Sequence, residues 1–250
     1  MPGVRRIDCR TDSGRETGAR IAANAVQRGE VVVLPTDTVY GVGADAFDPA
    51  AVAAVLAAKG RGRNVPPPVL VPNARTLDGI ATDLSDAARE LVSAFWPGPV
   101  TLVCRAQPAL DWDLGDTHGT VAVRMPLNRV ALALLELTGP MAVTSANLTG
   151  RPPAQTAAEA QEQLGASVAV YLDGGPASGG PASTILDCTG GAPLTLREGA
   201  LPRAEVDAAL EEAAKREAEE AARASAVAAA AAKPPRNRAG PRIAGSRRRR

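Results

Sequence analysis

Val31-Val32-Val33-Leu34 is a run of four apolar residues, mostly β-branched, that Pro35 stops. A helix needs roughly ten residues, so a run this short beside a helix breaker reads as a buried strand. The same logic runs along most of the chain. Val69 to Val71, Val100 to Cys104, Thr120 to Arg124 and Met141 to Thr144 read as strands, as do Val168 to Leu172, Ser183 to Leu186 and Leu194 to Leu196. Helical stretches lie between them. Ser13 is placed to cap a helix reaching Arg28, with Ile21, Ala22, Ala25 and Val26 on one face. Asp48-Pro49 opens a helix to Lys59, and Gly60 to Pro68 is loop. Ser85 caps a helix to Phe95 that Pro97-Gly98-Pro99 breaks. Asn128 to Leu137 is helical, and Thr156-x-x-Glu159 is a capping box for a helix to Leu164. Strands and helices alternate without strict βαβ regularity, which predicts an α/β fold on a twisted, open, mixed sheet with flanking helices.

Composition narrows the function classes. The chain has 250 residues and is 45% apolar, enough to bury a core, but only 2% aromatic. Tyr40, Phe47, Phe95, Trp96, Trp112 and Tyr171 are too scattered for a base-stacking platform. His118 is the single histidine, which disfavours histidine zinc sites and Ser-His-Asp chemistry. Cys9, Cys104 and Cys188 are odd in number and contain no C-x-x-C, so they read as buried thiols in a reducing compartment. No apolar stretch approaches the roughly 20 residues of a membrane span, and the first ten residues lack a signal-peptide core. The expected location is the cytoplasm, with no membrane partner.

The formal net charge of +1 hides an asymmetry. From Arg203 onward there are twelve Lys/Arg against seven Asp/Glu, and residues 221–250 hold nine cations and no acid. Residues 203–224 read as a charged helix and 225–250 as a disordered basic tail. Such a tail attracts polyanions, which allows a weak RNA contact, or serves only solubility.

Polar clusters punctuate the strand ends. Pro35-Thr36-Asp37-Thr38-Val39-Tyr40-Gly41-Val42-Gly43 follows a buried strand, where α/β sheets place ligands; it equally fits a well-capped turn. Lys59-Gly60-Arg61-Gly62-Arg63 either complements a helix dipole or folds over phosphates, and it is not a Walker loop. Arg124 closes an apolar alternation, where its fork suits a carboxylate, a phosphate or a surface ion pair. Thr144-Ser145-Ala146-Asn147 offers hydrogen bonds to a ligand or to its own turn. Asp173 to Thr184 carries four glycines that let backbone amides approach an anion, or make a linker. Leu196-Arg197-Glu198-Gly199 puts a further arginine at a strand end.

In this order, over roughly residues 15–202, these blocks resemble the YrdC-like threonylcarbamoyl-AMP synthases in their short, single-domain form. Pro35 to Gly43 is similar to P-T-D-T-V-Y-G-L-G, Lys59 and Arg61 to K-x-R, and Phe95 to Leu102 to F-W-P-G-P-L-T-L. Val121 to Arg124, Thr144 to Asn147, Asp173-Gly174-Gly175 and Arg197-Glu198-Gly199 match later blocks. The resemblance implies a YrdC-like catalytic domain over 15–202 with a cationic cleft. It implies a nucleotidyltransferase that condenses L-threonine, bicarbonate and ATP into threonylcarbamoyl-adenylate and releases pyrophosphate. The product would pass to tRNA threonylcarbamoyl-transfer proteins. A non-catalytic RNA- or ribosome-binding member of the same fold is the alternative.

Carried over by the same resemblance, Thr38, Arg124 and Ser183 would hold threonine. Lys59, Arg61, Thr120, Ser145, Asn147 and Arg197 would hold ATP, with Lys59 and Arg61 neutralising the phosphates in catalysis. Mg2+ is expected with the nucleotide, and neither zinc nor an organic cofactor is expected. Two positions depart from the family pattern: Gly62 stands where proline often follows K-x-R, and Pro72 stands near a histidine that helps hold threonine in many members.

Overall fold

A computed structural model describes residues 4–178 and 180–231. The chain divides into two compact units, Met1–Leu210 and Glu211–Arg250.

The first unit contains eleven strands in one mixed sheet. The chain begins with β1 (Arg5–Asp8), α1 (Asp12–Val26), β2 (Val32–Leu34), β3 (Gly41–Asp45) and α2 (Pro49–Lys59). It continues through β4 (Val69–Leu70), α3 (Thr76–Ile80), β5 (Ala81–Thr82), α4 (Asp86–Phe95), β6 (Val100–Ala106) and β7 (Thr120–Arg124). Next come α5 (Arg129–Thr138), β8 (Met141–Ser145), α6 (Ala157–Leu164), β9 (Val170–Asp173), β10 (Thr184–Asp187) and β11 (Leu194–Arg197). The last helix, α7 (Arg203–Ala231), starts in this unit and supplies the described part of the second. The arginine-rich segment beyond Ala231 lies outside the described residues.

The strand order is β1-β9-β2-β3-β8-β4-β7-β6-β10-β11, with β5 added on β6. The β1–β9, β2–β9, β4–β7 and β6–β10 pairs are parallel and the others antiparallel.

Caps decide the helix starts. Asp48 accepts from the amides of Ala50 and Ala51, Ser85 from Ala88 and Asn128 from Val130 and Ala131, as expected of side chains that satisfy the orphan N–H groups of a first turn. Thr11, not Ser13, caps α1 by accepting from Gly14, so that helix starts earlier than the sequence suggested. The Thr156 hydroxyl accepts from Glu159, but the Glu159 carboxylate reaches Gln155 rather than closing the box on Thr156.

β3 has no counterpart in the sequence-based reading, because Gly41 and Gly43 carry no strand propensity. Their role is spatial. A Cβ at Gly41 or Gly43 would stand 2.6 or 2.5 Å from the Val143 side chain, so glycine lets Val143 of β8 lie across β3.

Side chains alternate between the two faces of the sheet. On β1, β9, β2 and β3, one face packs Val32, Leu34, Val170 and Leu172 with residues of α1 and α5. The other face packs Val33, Val42, Ala44 and Tyr171 with residues of α2 and α6. On β4, β7, β6 and β10, one face buries Val69, Val121, Val123, Leu102 and Leu186 against α3, α4 and the first turns of α7. The opposite face of those four strands forms the floor of a cavity.

Candidate active site

The cavity has a volume of about 370 Å3. Its floor is built by period-two alternation: Thr101 and Val103 of β6, Ala122 and Arg124 of β7, Val143 and Ser145 of β8, and Ser183 and Ile185 at β10. Thr36 to Gly41, less Asp37, form one wall; Arg61, Val65, Pro66 and Pro68 form another. Leu196 and Arg197 of β11 stand at the far side. Three arginines and several hydroxyls line this space, and no acidic residue does among the described ones.

Arg124 is the most enclosed of the cations, 6% exposed. Its Nε donates to Gly98 O at 2.9 Å, Nη1 to Thr38 Oγ1 at 3.0 Å and Nη2 to Asp37 Oδ1 at 2.6 Å. Asp37 Oδ1 also accepts from the Leu127 amide. These bonds use three of the five guanidinium N–H groups and leave two. The tryptophan-proline-glycine block thus has a local reason: Trp96 Nε1 donates to Val100 O at 2.8 Å, and the Gly98 carbonyl braces Arg124.

The remaining cations repel one another across the space. Burial, then the charge of Arg197, lowers Arg61; burial, then Arg124, lowers Arg197. Burial lowers Arg124 as well, against the raising influence of Asp37. Guanidinium stays protonated throughout, so three positive charges line the cavity, that of Arg124 paired with Asp37. Arg61 Nη1 donates to Thr144 Oγ1 at 2.8 Å. Arg197 Nη2 donates to Ser183 O at 2.7 Å. Gly199 permits that approach: a Cβ there would stand 2.1 Å from Ala182 O.

Of the site residues expected from the sequence, Thr38, Arg61, Arg124, Ser145, Ser183 and Arg197 line the cavity. Lys59, Asn147 and Thr120 do not. The Lys59 ammonium is buried and donates to Ser145 O, to Asn147 O at 2.7 Å and to Asn147 Oδ1 at 3.2 Å. Burial, then Arg61, lowers it to about 8. It ties the end of α2 to the segment after β8, and Asn147 Nδ2 closes that segment by donating to Leu148 O and Arg151 O. Thr120 starts the strand that Arg124 ends, about 13 Å away at the usual strand rise. Its hydroxyl donates to Thr117 O. Pro72 is half-buried and stays off the cavity wall.

The sequence reading placed Thr36 and Thr144 in candidate ligand blocks without naming them as site residues and gave Thr101 no role; all three line the cavity. A signal for Thr101 exists: it is the one hydroxyl in the run Val100 to Cys104, whose odd member it is on the face away from the core.

A family described as "Telomere recombination", Sua5_yciO_yrdC, matches residues 24–199. The chain belongs to the Sua5/YciO/YrdC family. A relative from Mycobacterium tuberculosis (strain ATCC 25618 / H37Rv), which carries the threonylcarbamoyl-AMP synthase name provisionally, is 54% identical over 193 residues, or 77% of this chain and 89% of that one. The "Threonylcarbamoyl-AMP synthase" of Pyrococcus abyssi is 38% identical over 75% of this chain and 56% of its own length. A crystal structure of P. abyssi Sua5 complexed with L-threonine has a TM-score of 0.77 and 35% identity, covering 82% of this chain and 60% of that chain. Escherichia coli YciO, at 24% identity and a TM-score of 0.71, shares the fold.

Proposed function

We infer that this family member is an L-threonylcarbamoyladenylate synthase, which condenses L-threonine, bicarbonate and ATP and releases pyrophosphate. The observation that carries the reading is the acid-free cavity on which Arg61, Arg124 and Arg197 converge beside hydroxyl groups. The threonine amine adds to the carbon of bicarbonate, water leaves, and a carbamate forms without an enzymatic nucleophile. A carbamate oxygen then attacks the α-phosphorus of ATP as the bond to the pyrophosphate oxygen breaks. Both partners are anions, so catalysis reduces to charge neutralisation and in-line placement.

In this reading the two unused N–H groups of Arg124 take the threonine carboxylate, with Thr38 and Ser183 beside it. Arg61 and Arg197 take phosphate oxygens, and Ser145 offers its hydroxyl on the floor. Lys59 and Asn147 act behind the wall by holding the segment that carries Thr144 and Ser145. Thr120 has no direct part. No group of three histidine, cysteine or carboxylate side chains able to hold a metal occurs among the described residues. Mg2+ enters this reading as part of the nucleotide substrate. The adenylate is a mixed anhydride, suited to a downstream transfer of the threonylcarbamoyl group to tRNA.

Incubating the full chain with ATP, L-threonine and bicarbonate, with mass detection of the adenylate and a pyrophosphate assay, tests the reading. Threonine-dependent release of both products is expected; pyrophosphate release independent of threonine, or none, overturns it. No helix among the described residues is long and apolar enough to cross a membrane.

A further inference from the structure

Two hydroxyl pairs line the cavity, Thr36 with Thr38 and Thr101 with Ser183. On one side, Thr36 Oγ1 donates to Val39 O at 2.6 Å, so its proton is committed. Its two lone pairs face three donors, the amides of Thr38 and Val39 at 3.2 and 3.3 Å and the Thr38 hydroxyl at 3.1 Å. Thr38 Oγ1 accepts from Arg124 Nη1 at 3.0 Å.

On the other side, Thr101 Oγ1 and Ser183 Oγ are 2.8 Å apart and both line the cavity. Arg197 Nη2 donates to Ser183 Oγ at 3.3 Å. Two hydroxyls carry two protons, and one proton fills the bond between them. The second has no protein acceptor among the described residues, whichever hydroxyl bears it. This side faces the cavity with one O–H donor, next to a guanidinium. Thr101 is 1% exposed against 7% for Ser183, so the hydroxyl that reaches a ligand is that of Ser183, with Thr101 behind it.

We propose that Thr101 is a positioning residue that acts through Ser183, fixing one hydroxyl proton for an oxygen of the threonine-derived substrate, its carboxylate or the carbamate made on its amine. Without the Thr101 hydroxyl, Ser183 keeps its proton but loses the partner that orients it, and Val at 101 would leave the pocket shape nearly unchanged. The proposal rests on the synthase reading for the identity of the ligand. Its test therefore includes binding, which does not require turnover.

L-threonine affinity is measured by calorimetry, and KM for threonine and for ATP by pyrophosphate release, in wild type, Thr101→Val, Thr101→Ser, Ser183→Ala and the double variant Thr101→Val/Ser183→Ala. Thermal melting reports the fold. Thr101→Val should weaken threonine about tenfold, the usual scale for losing one partner of a buried hydrogen bond, with KM for ATP within about twofold. Thr101→Ser should restore wild-type affinity, and the double variant should equal Ser183→Ala. Equal losses toward threonine and ATP, failure of Thr101→Ser to rescue, or fully additive losses in the double variant would each overturn the proposal. Wild type that binds threonine but forms no adenylate would sink the synthase reading while leaving this comparison of variants intact.

Discussion

The two halves of the sheet differ in their cover. Around β2 and β9, helices lie on both faces, and Val31-Val32-Val33-Leu34 is apolar at every position. Around β6 and β7, helices cover one face only, and the strands alternate. Val100, Leu102, Val121 and Val123 point to the core, while Thr101, Ala122 and Arg124 point to the cavity. A ligand site needs a floor that the protein does not fill itself. This sheet supplies one by extending past its second helical layer, and the strands there hold polar groups on the uncovered face. The uncovered half also holds its charged groups by bonding them to strands and loops: Arg124 to Gly98 and Thr38, Arg197 to Ser183.

If that contrast is right, the halves respond differently to mutation. The largest expected effect is at Arg124. Arg124→Ala leaves the Asp37 carboxylate, 12% exposed, without its ion-pair partner, and breaking a buried pair typically costs about 3–5 kcal/mol. Denaturant melts should show that loss, and calorimetry should show threonine binding weakened at least about tenfold. Unchanged threonine affinity in a folded variant would remove Arg124 from the substrate.

Next is a matched pair of truncations. Leu34→Ala, in the doubly covered half, should cost about 2–5 kcal/mol of stability and leave KM values unchanged. Val103→Ala, on the cavity floor, should cost about 1 kcal/mol or less and change KM instead. Equal stability losses at both sites would erase the difference between the halves.

A pH effect follows at Lys59. Its ammonium titrates near 8 rather than 10.5, because burial and then Arg61 disfavour the charge. Below that pH it donates to three oxygens; above it one bond to the Ser145–Asn147 segment is lost. Turnover should therefore fall as pH rises past about 8. The stability sign is opposite. The unfolded state binds more protons between about 8 and 10.5, so this group favours folding increasingly as pH rises through that window. A turnover profile flat to pH 9.5 would count against a role for the charged form.

The smallest effect is expected from the tail. Truncation after Ala224 should leave adenylate synthesis unchanged, since every described cavity residue precedes it. Any tRNA affinity it removes should be salt-dependent, at roughly 0.7–0.9 log units per phosphate contact per decade of salt. Lost turnover would show that the segment contributes to the site.

Local order was legible because its causes are local. Pro35 ends β2, Asp48 and Pro49 start α2, and Asn128 starts α5, each through a bond or a ring within a few residues. β3 was not legible, since its strand character comes from pairing with β2 and β8 rather than from Gly41 and Gly43. The motif blocks pointed to the right strand ends, and six of the expected site residues do meet at one cavity.

The sequence by itself determined the elements, the buried strand pattern and the family-like blocks, because propensity, capping and alternation act between near neighbours. Tertiary structure decided which cations are free. Lys59 and Arg61 are two residues apart, yet one is consumed by backbone carbonyls and the other faces the cavity. Thr101 and Ser183 are 82 residues apart, yet share a proton. Which hydroxyl keeps a donor, and which charge keeps a vacancy for a ligand, depends on partners brought together by strand order, and no local pattern encodes that order.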